Sequence, residues 1–170
     1  DYQEKNIGNV GETQFAMLKK LELDLDMHNK LIAYCKQKGV KFLSTAFDLD
    51  SVDLLHDLGI DVFKIPSGEM TNLPYLEKIA GLGKPVILST GMCTIGDVER
   101  AYNVFIKGGI SQNDLSILHC NTEYPTPMED VNLKAMNTLG QAFDVKYGYS
   151  DHTPGIERPM AAVARGATVM

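Results

Sequence analysis

Short apolar runs alternate with helical patterns along this chain at a period of roughly 20 to 30 residues, and that beat constrains the fold more than any other feature. The runs are VKFLSTAF (40–47), DVFKIPSG (61–68), PVILSTG (85–91), LSILHC (115–120) and VKYGYSD (145–151), and GATVM begins another at 166. Between them, apolar residues recur three and four apart: Val52, Leu55 and Leu58; Leu73, Leu76 and Ile79; Val98, Ala101, Val104 and Phe105; Leu133, Met136 and Leu139. Several of these stretches start at Asp, Thr or Asn and stop at Gly59, Gly81 or Gly108, as capped helices do. Two more helices are expected before residue 40, one over 13–23 and one from Asp26 as cap to Gly39. Repeated strand–helix units imply a parallel sheet.

The strand ends decide between an open sheet and a barrel. An open doubly wound sheet gathers ligands at one switch point. Here five successive runs end in polar or reactive residues: Ser44-Thr45, Lys64 with Ser67 and Glu69, Ser89-Thr90, His119, and Ser150-Asp151-His152. A ring of such ends at one mouth is how a (β/α)8 barrel of the TIM type builds its active site. That barrel has eight strands and typically about 250 residues. The 170 residues are therefore expected to form an incomplete barrel, about strands 3 to 8, as a single partial catalytic domain.

Composition excludes several classes. The net charge of −6 argues against a nucleic-acid surface, and no apolar run approaches the 18 or so residues of a membrane span. The amino end, DYQEKNIGNVGETQ, reads as no signal peptide. Cys35, Cys93 and Cys120 are odd in number and form no C-x-x-C pair, which suits a reduced, cytoplasmic protein.

FKIPSGEMTN (63–72) is the richest stretch. Lys64 beside Ser67 suits a phosphate or carboxylate, and Glu69 suits proton transfer or sugar hydroxyls. The competing reading makes Lys64 and Glu69 a structural ion pair. Ser89, Thr90 and Gly91 pair hydroxyls with a glycine, leaving amides open to a phosphate or making an ordinary turn. Thr45 is a weaker candidate of the same kind. His119 reads as a hydrogen-bonded core residue, while Thr122 and Tyr124 stand where a polar substrate can be held. In YGYSDHTPG (147–155), Asp151 supports His152 as a metal ligand, or else Ser150, Asp151 or Thr153 caps the helix starting near Ile156. His28 and His56 fall on helical patterns and are expected to be exposed.

The motifs FKIPSGE, VILSTGM, LHCNTEYPTPMEDVNLKAM and YGYSDHTPGIE, in this order, resemble the sialic acid synthase (N-acetylneuraminate synthase) family over most of residues 12–170. The resemblance implies a (β/α)8 barrel that condenses phosphoenolpyruvate (PEP) with an N-acetylated hexosamine, usually N-acetylmannosamine, giving a nine-carbon 3-deoxy-2-keto acid and phosphate. It implies a divalent metal, commonly Mn2+, with Mg2+ or Co2+ as alternatives. By motif, Lys64, Ser67, Ser89 and Ser150, with Thr45, would hold PEP, and Glu69 would be the catalytic carboxylate. Thr122, where many members carry Asn, and Tyr124 would contact the hexosamine, and His152 would bind the metal. The family's second metal histidine belongs to a Glu-Lys-His segment after GATV, the PEP lysine of the second strand has no counterpart here, and members carry a carboxy-terminal antifreeze-like domain and pair as homodimers. On that basis the chain alone is expected to be inactive. Legionaminic and pseudaminic acid synthases share the motifs. A Kdo-8-phosphate-type synthase is disfavoured by the lack of an extra basic cluster for a phosphorylated sugar, and a degenerate, non-catalytic barrel is the alternative of another class.

Overall fold

The computed structural model describes residues 13–170, so the amino-terminal stretch that reads as lacking a signal peptide lies almost wholly outside the described residues. Internal packing divides the described residues into two units, 13–42 and 43–170.

In the first unit, α1 (Gln14–Leu21) starts at Thr13, whose hydroxyl accepts from the Ala16 amide. Helix α2 (Leu25–Lys38) starts at Asp24 rather than at Asp26, because the Asp24 carboxylate accepts from the Met27 amide at 2.7 Å. Asp26 is left in the first turn, paired with Lys30. The helix ends at Gly39 in the left-handed conformation, with φ of 68°. His28, expected on the surface, is buried. Its Nδ1–H donates to the Asp24 carbonyl at 2.9 Å and its ring meets Phe42 edge-on, so the imidazole is a satisfied packing residue. His56 is exposed, as expected.

The second unit follows the strand–helix beat. Helix α3 (Leu49–Asp57) is capped by Asp48, then come β1 (Phe63–Ile65), α4 (Leu73–Gly81), β2 (Val86–Ser89) and α5 (Ile95–Lys107). The order continues with β3 (Leu115–Cys120), α6 (Leu133–Phe143), β4 (Lys146–Ser150) and α7 (Glu157–Ala164). All pairings are parallel, and the sheet order is β1-β2-β3-β4. Sheet order equals chain order, so there is no switch point: the sheet winds one way, as an arc of a barrel.

Two expected strands differ. Residues 40–47 carry no ladder, because their backbone groups are used elsewhere: the Val40 amide bonds back to the Cys35 carbonyl, and the Ala46 carbonyl accepts the buried Tyr75 hydroxyl at 2.7 Å. GATVM reaches the sheet only as a bridge between Val169 and Gly148.

Register sorts the side chains, since successive residues of a strand alternate between faces and paired residues share one. Tyr149 packs with Met136 of α6 and Ala162 of α7, which marks its face as the helix side. Phe63, Ile65, Val86, Leu88, Leu115, Ile117 and Tyr149 share that side and are all buried. With the buried helix residues Leu76, Ile79, Val98, Ala101, Phe105 and Met136 they form the core. The residues in between point the other way, into the mouth. Gly140 lets α6 lie on this layer: a Cβ there would stand 2.1 Å from the Tyr147 ring.

Candidate active site

Lys64, Ile87 and Ser116 are register partners, as are Ser89, Leu118 and Gly148, and Cys120 and Ser150. Alternation therefore places Lys64, Ser89, Cys120 and Ser150 on the one face that lacks helices. Each of these residues sits on a different strand, and the strand ends bring them to the same end of the sheet.

Lys64 is half-buried, and burial pushes its ammonium below the ordinary lysine range, an effect that nearby Cys120 opposes. Among the described residues it makes no ion pair. Glu69 instead accepts from the Asn72 side-chain amide at 2.7 Å, which removes the structural-bridge reading of Lys64 and Glu69. Pro66 ends β1, and a single 3-10 turn over Ser67–Glu69 carries the chain away. Ser67 Oγ accepts the Gly91 amide at 2.8 Å and shares a hydrogen bond with Cys120 Sγ at 3.3 Å, in which either group can donate.

Ser89 is 1 % exposed and its Oγ has no hydrogen-bond partner among the described residues. Buried polar groups are rarely left so. The amides after it are not open to an anion, contrary to the sequence expectation: Thr90 N–H and Oγ1 both donate to the Leu118 carbonyl, and Gly91 N–H is taken by Ser67. Strand β3 runs past Ser89 and supplies the acceptor. Thr45 lies on the unladdered segment, with no hydrogen bond to these strand ends.

The loop after β3 meets the loop after β4. His152 Nδ1 lies 2.8 Å from the Asn121 carbonyl, which can only accept, so Nδ1 carries the proton and Nε2 keeps its lone pair, 3.5 Å from Ser150 Oγ. The Thr126 amide donates to the His152 carbonyl, and the Tyr124 ring lies 4.0 Å from the imidazole. The support expected from Asp151 is absent, because Asp151 Oδ1 accepts from the Thr153 amide and hydroxyl in a local turn. Nor does that turn cap α7, whose first residue follows Ile156 with no side-chain cap.

A histidine that gives one ring N–H to a backbone carbonyl and keeps the other nitrogen bare is arranged as metal-ligating histidines are. His152 thus fits as one ligand. No group of three or more His, Cys, Asp or Glu that could hold a metal gathers among the described residues. His119 is not a second ligand, for it lies on the helix face, stacked on Tyr149, and its Nε2 accepts the Asn132 amide at 3.3 Å.

Burial holds His119 below its ordinary pKa of 6.5. Because the folded value is depressed, the unfolded chain binds the proton more readily, and stability falls as pH drops below about 6.5. Protonation also turns Nε2 into a donor facing the Asn132 N–H. Melting temperatures between pH 7.5 and 5 should show this acid loss, and His119→Gln should flatten it; an unchanged acid profile in the variant would assign the loss elsewhere.

Sequence reasoning missed two residues of this mouth. Cys120 Sγ lies 3.3 Å from Ser67 Oγ and acts electrostatically on Lys64, and alternation from a helix-facing His119 would have placed it on that face. Asn121 has its Oδ1 buried without a partner among the described residues, its Nδ2 bonded to the Asp130 carbonyl, and its own carbonyl on His152; nothing in the sequence signals this.

Known proteins resemble this chain in sequence and fold. The NeuB family model matches residues 1–170. The N,N'-diacetyllegionaminic acid synthase of Campylobacter jejuni is 56% identical over 169 residues, covering 99% of this chain and 50% of that protein. Human N-acetylneuraminate-9-phosphate synthase is 35% identical, over 94% of this chain and 44% of its own length. The crystal structure of N-acetylneuraminic acid (sialic acid) synthetase from Leptospira borgpetersenii, in complex with citrate, superposes with a TM-score of 0.85 at 33% identity, over 98% of this chain and 57% of that one. A DAHP synthase from Thermotoga maritima, 20% identical with a TM-score of 0.64, shares the fold. The chain spans about half the length of the curated relatives it matches. With its full length matched and its parallel arc superposing on these synthases, the chain belongs to the NeuB family.

Proposed function

We propose that this chain forms part of the catalytic barrel of a synthase that condenses PEP with an N-acetylated hexosamine, releasing phosphate and a nine-carbon 3-deoxy-2-keto acid. One observation carries the reading: strand register sets Lys64, Ser89 and Ser150 on one open face, with a half-buried cation and a buried hydroxyl that have no partner among the described residues. Such a face suits a small dianion.

Lys64, with the Ser67, Ser89 and Ser150 hydroxyls, holds the phosphate and carboxylate of PEP. Thr45 is the weakest member of that set. C3 of PEP bonds to the aldehyde carbon of the open-chain sugar. Water then adds at C2, and the tetrahedral intermediate collapses as the C2–O bond breaks and phosphate leaves with the bonding pair. Glu69, in the turn after β1, moves a proton or balances positive charge developing at C2. Thr122 and Tyr124 hold the hexosamine from the loop that also packs on His152. A divalent metal, with Mn2+ the first choice, would polarise the aldehyde as a Lewis acid, and His152 Nε2 would be one of its ligands. Holding the two substrates together supplies much of the acceleration. Action in the cytoplasm as a homodimer belongs to the same family reading.

For the acceptor, N-acetylmannosamine is the first expectation. The 56% identity to a synthase of N,N'-diacetyllegionaminic acid, against 35% to a human synthase of N-acetylneuraminate 9-phosphate, favours a hexose carrying two acetamido groups. Phosphate release from PEP by the full-length protein, tried with both acceptors and with or without Mn2+ after chelation, tests this. Release should require both an acceptor and the metal, and be faster with the diacetamido sugar. No release with any acceptor, from protein shown to be folded, would leave a non-catalytic barrel.

A further inference from the structure

A second basic feature lies outside that mouth. A cavity of about 380 Å3 is lined by Val131, Asn132, Leu133, Lys134, Arg158 and Arg165. It holds three cations and no acidic residue, on a chain whose net charge is −6. None of its lining residues belongs to the face with Lys64, Ser89 and Ser150.

Among the described residues, none of the three charges meets an acidic partner. Arg158 gives one terminal nitrogen to the Met128 carbonyl, while its Nε is buried with no partner among the described residues. Arg165 places Nε and a terminal nitrogen on Asn137 Oδ1, a neutral acceptor. Lys134 is exposed and forms no ion pair among the described residues. The cavity also borders the start of α6, an 11-residue helix whose N-cap Asn132 makes no side-chain cap bond, so amides of its first turn keep their partial positive charge. Like charges brought together with an orphaned guanidinium nitrogen are costly unless an anion completes them.

We propose that this cavity is a binding site for a small phosphate-bearing anion, separate from the site for PEP. Bound there, the anion ties two loops together. The loop after β3, which carries Thr122 and Tyr124, contributes Val131 and Asn132 and runs into Leu133 and Lys134 of α6, while α7, which follows the His152 loop, contributes Arg158, with Arg165 directly after it. The site is thus placed to hold both loops in their observed contact, in which Asn121 and Thr126 bond to His152.

The test uses the full-length protein carrying Lys64→Met, which removes one cation of the mouth. Binding of inorganic phosphate is measured by calorimetry at constant ionic strength with chloride as background, with acetate as a carboxylate control. One phosphate site should persist, acetate should bind about tenfold more weakly or not at all, and Lys134→Gln with Arg165→Gln should weaken phosphate by about tenfold or more, the worth of one or two charge-assisted bonds. Arg165 also clamps Asn137, so Lys134→Gln alone, at an exposed position, serves as the variant that leaves folding untouched and should still weaken binding. No phosphate site in the Lys64→Met protein, or one that both sets of substitutions leave unchanged, overturns the proposal. Because Lys134 and Arg165 lie outside the mouth, either result is independent of whether the protein condenses PEP.

Discussion

Lys64→Met should lower kcat/KM for PEP by about 10²–10³-fold, with no loss of thermal stability, because it removes a charge placed for an anion that develops and departs during the reaction. The stability half of this expectation follows from burial. Lys64 is held below the ordinary lysine value of 10.5, so its charged form is penalised by folding. The unfolded chain binds that proton more tightly, hence the penalty is in force at neutral pH and fades as pH rises toward 10.5. Methionine keeps most of the apolar stem and removes the penalised charge. The melting temperature of the variant should match or exceed that of the parent, and added PEP should raise the parent's melting temperature but not the variant's. A variant that melts lower while still gaining stability from PEP would show Lys64 to be a structural cation and Ser67, Ser89 and Ser150 to be sufficient for the anion.

Gly91→Ala should damage the same mouth by steric means. A Cβ at Gly91 would stand 2.6 Å from Thr122 Cγ2, 3.0 Å from Ser67 Oγ and 3.1 Å from Cys120 Sγ. The first is closer than carbon atoms approach, and the other two belong to the group that seats Ser67. The expected cost is about 1–3 kcal/mol of stability, as for other overpacked sites, together with a rise in KM for PEP as Ser67 loses the Gly91 amide. The contact is specific enough to reverse. Thr122→Ser deletes the offending methyl, so the double variant should recover a substantial part of both losses, a non-additivity expected of touching residues. Equal stability and KM in Gly91→Ala and parent, or no recovery in the double variant, would mean the loop after β3 yields freely and the cradle is loose.

Much of this architecture can be read along the chain. The runs at 61–68, 85–91, 115–120 and 145–151 become β1 to β4, because each is a short β-prone stretch bounded by turn residues, and that signal is local. Lys64, Ser89 and Ser150 were legible as strand-end residues for the same reason. What sequence periodicity does not carry is pairing. Residues 40–47 look like a strand but have no ladder, since the Ala46 carbonyl is claimed by Tyr75, 29 positions on. His28 has the spacing of a surface residue and is buried through contacts that no pattern displays. The amides of Thr90 and Gly91 seemed free until the positions of Leu118 and Ser67 were known. The basic cavity is a stronger case, since Lys134 and Arg165 lie 31 residues apart and only the packing of α6 against α7 makes them neighbours. Local chemistry can be read one residue at a time, whereas the pairing of chemistries depends on the finished fold.

The one-way strand order has a consequence for how the chain reaches that fold. Phe63 pairs with Val86, Val86 with Leu115, and Ser116 with Lys146, so each ladder closes a loop of only about 20–30 residues. A chain leaving the ribosome can therefore dock every new strand on the one completed just before it, and no strand in the arc need wait for a distant partner. Growth of this kind is sequential, but it has no internal stop, because the newest strand always offers its free edge to whatever arrives next. Val169, already bonded through its carbonyl to the Tyr149 amide, occupies that leading edge.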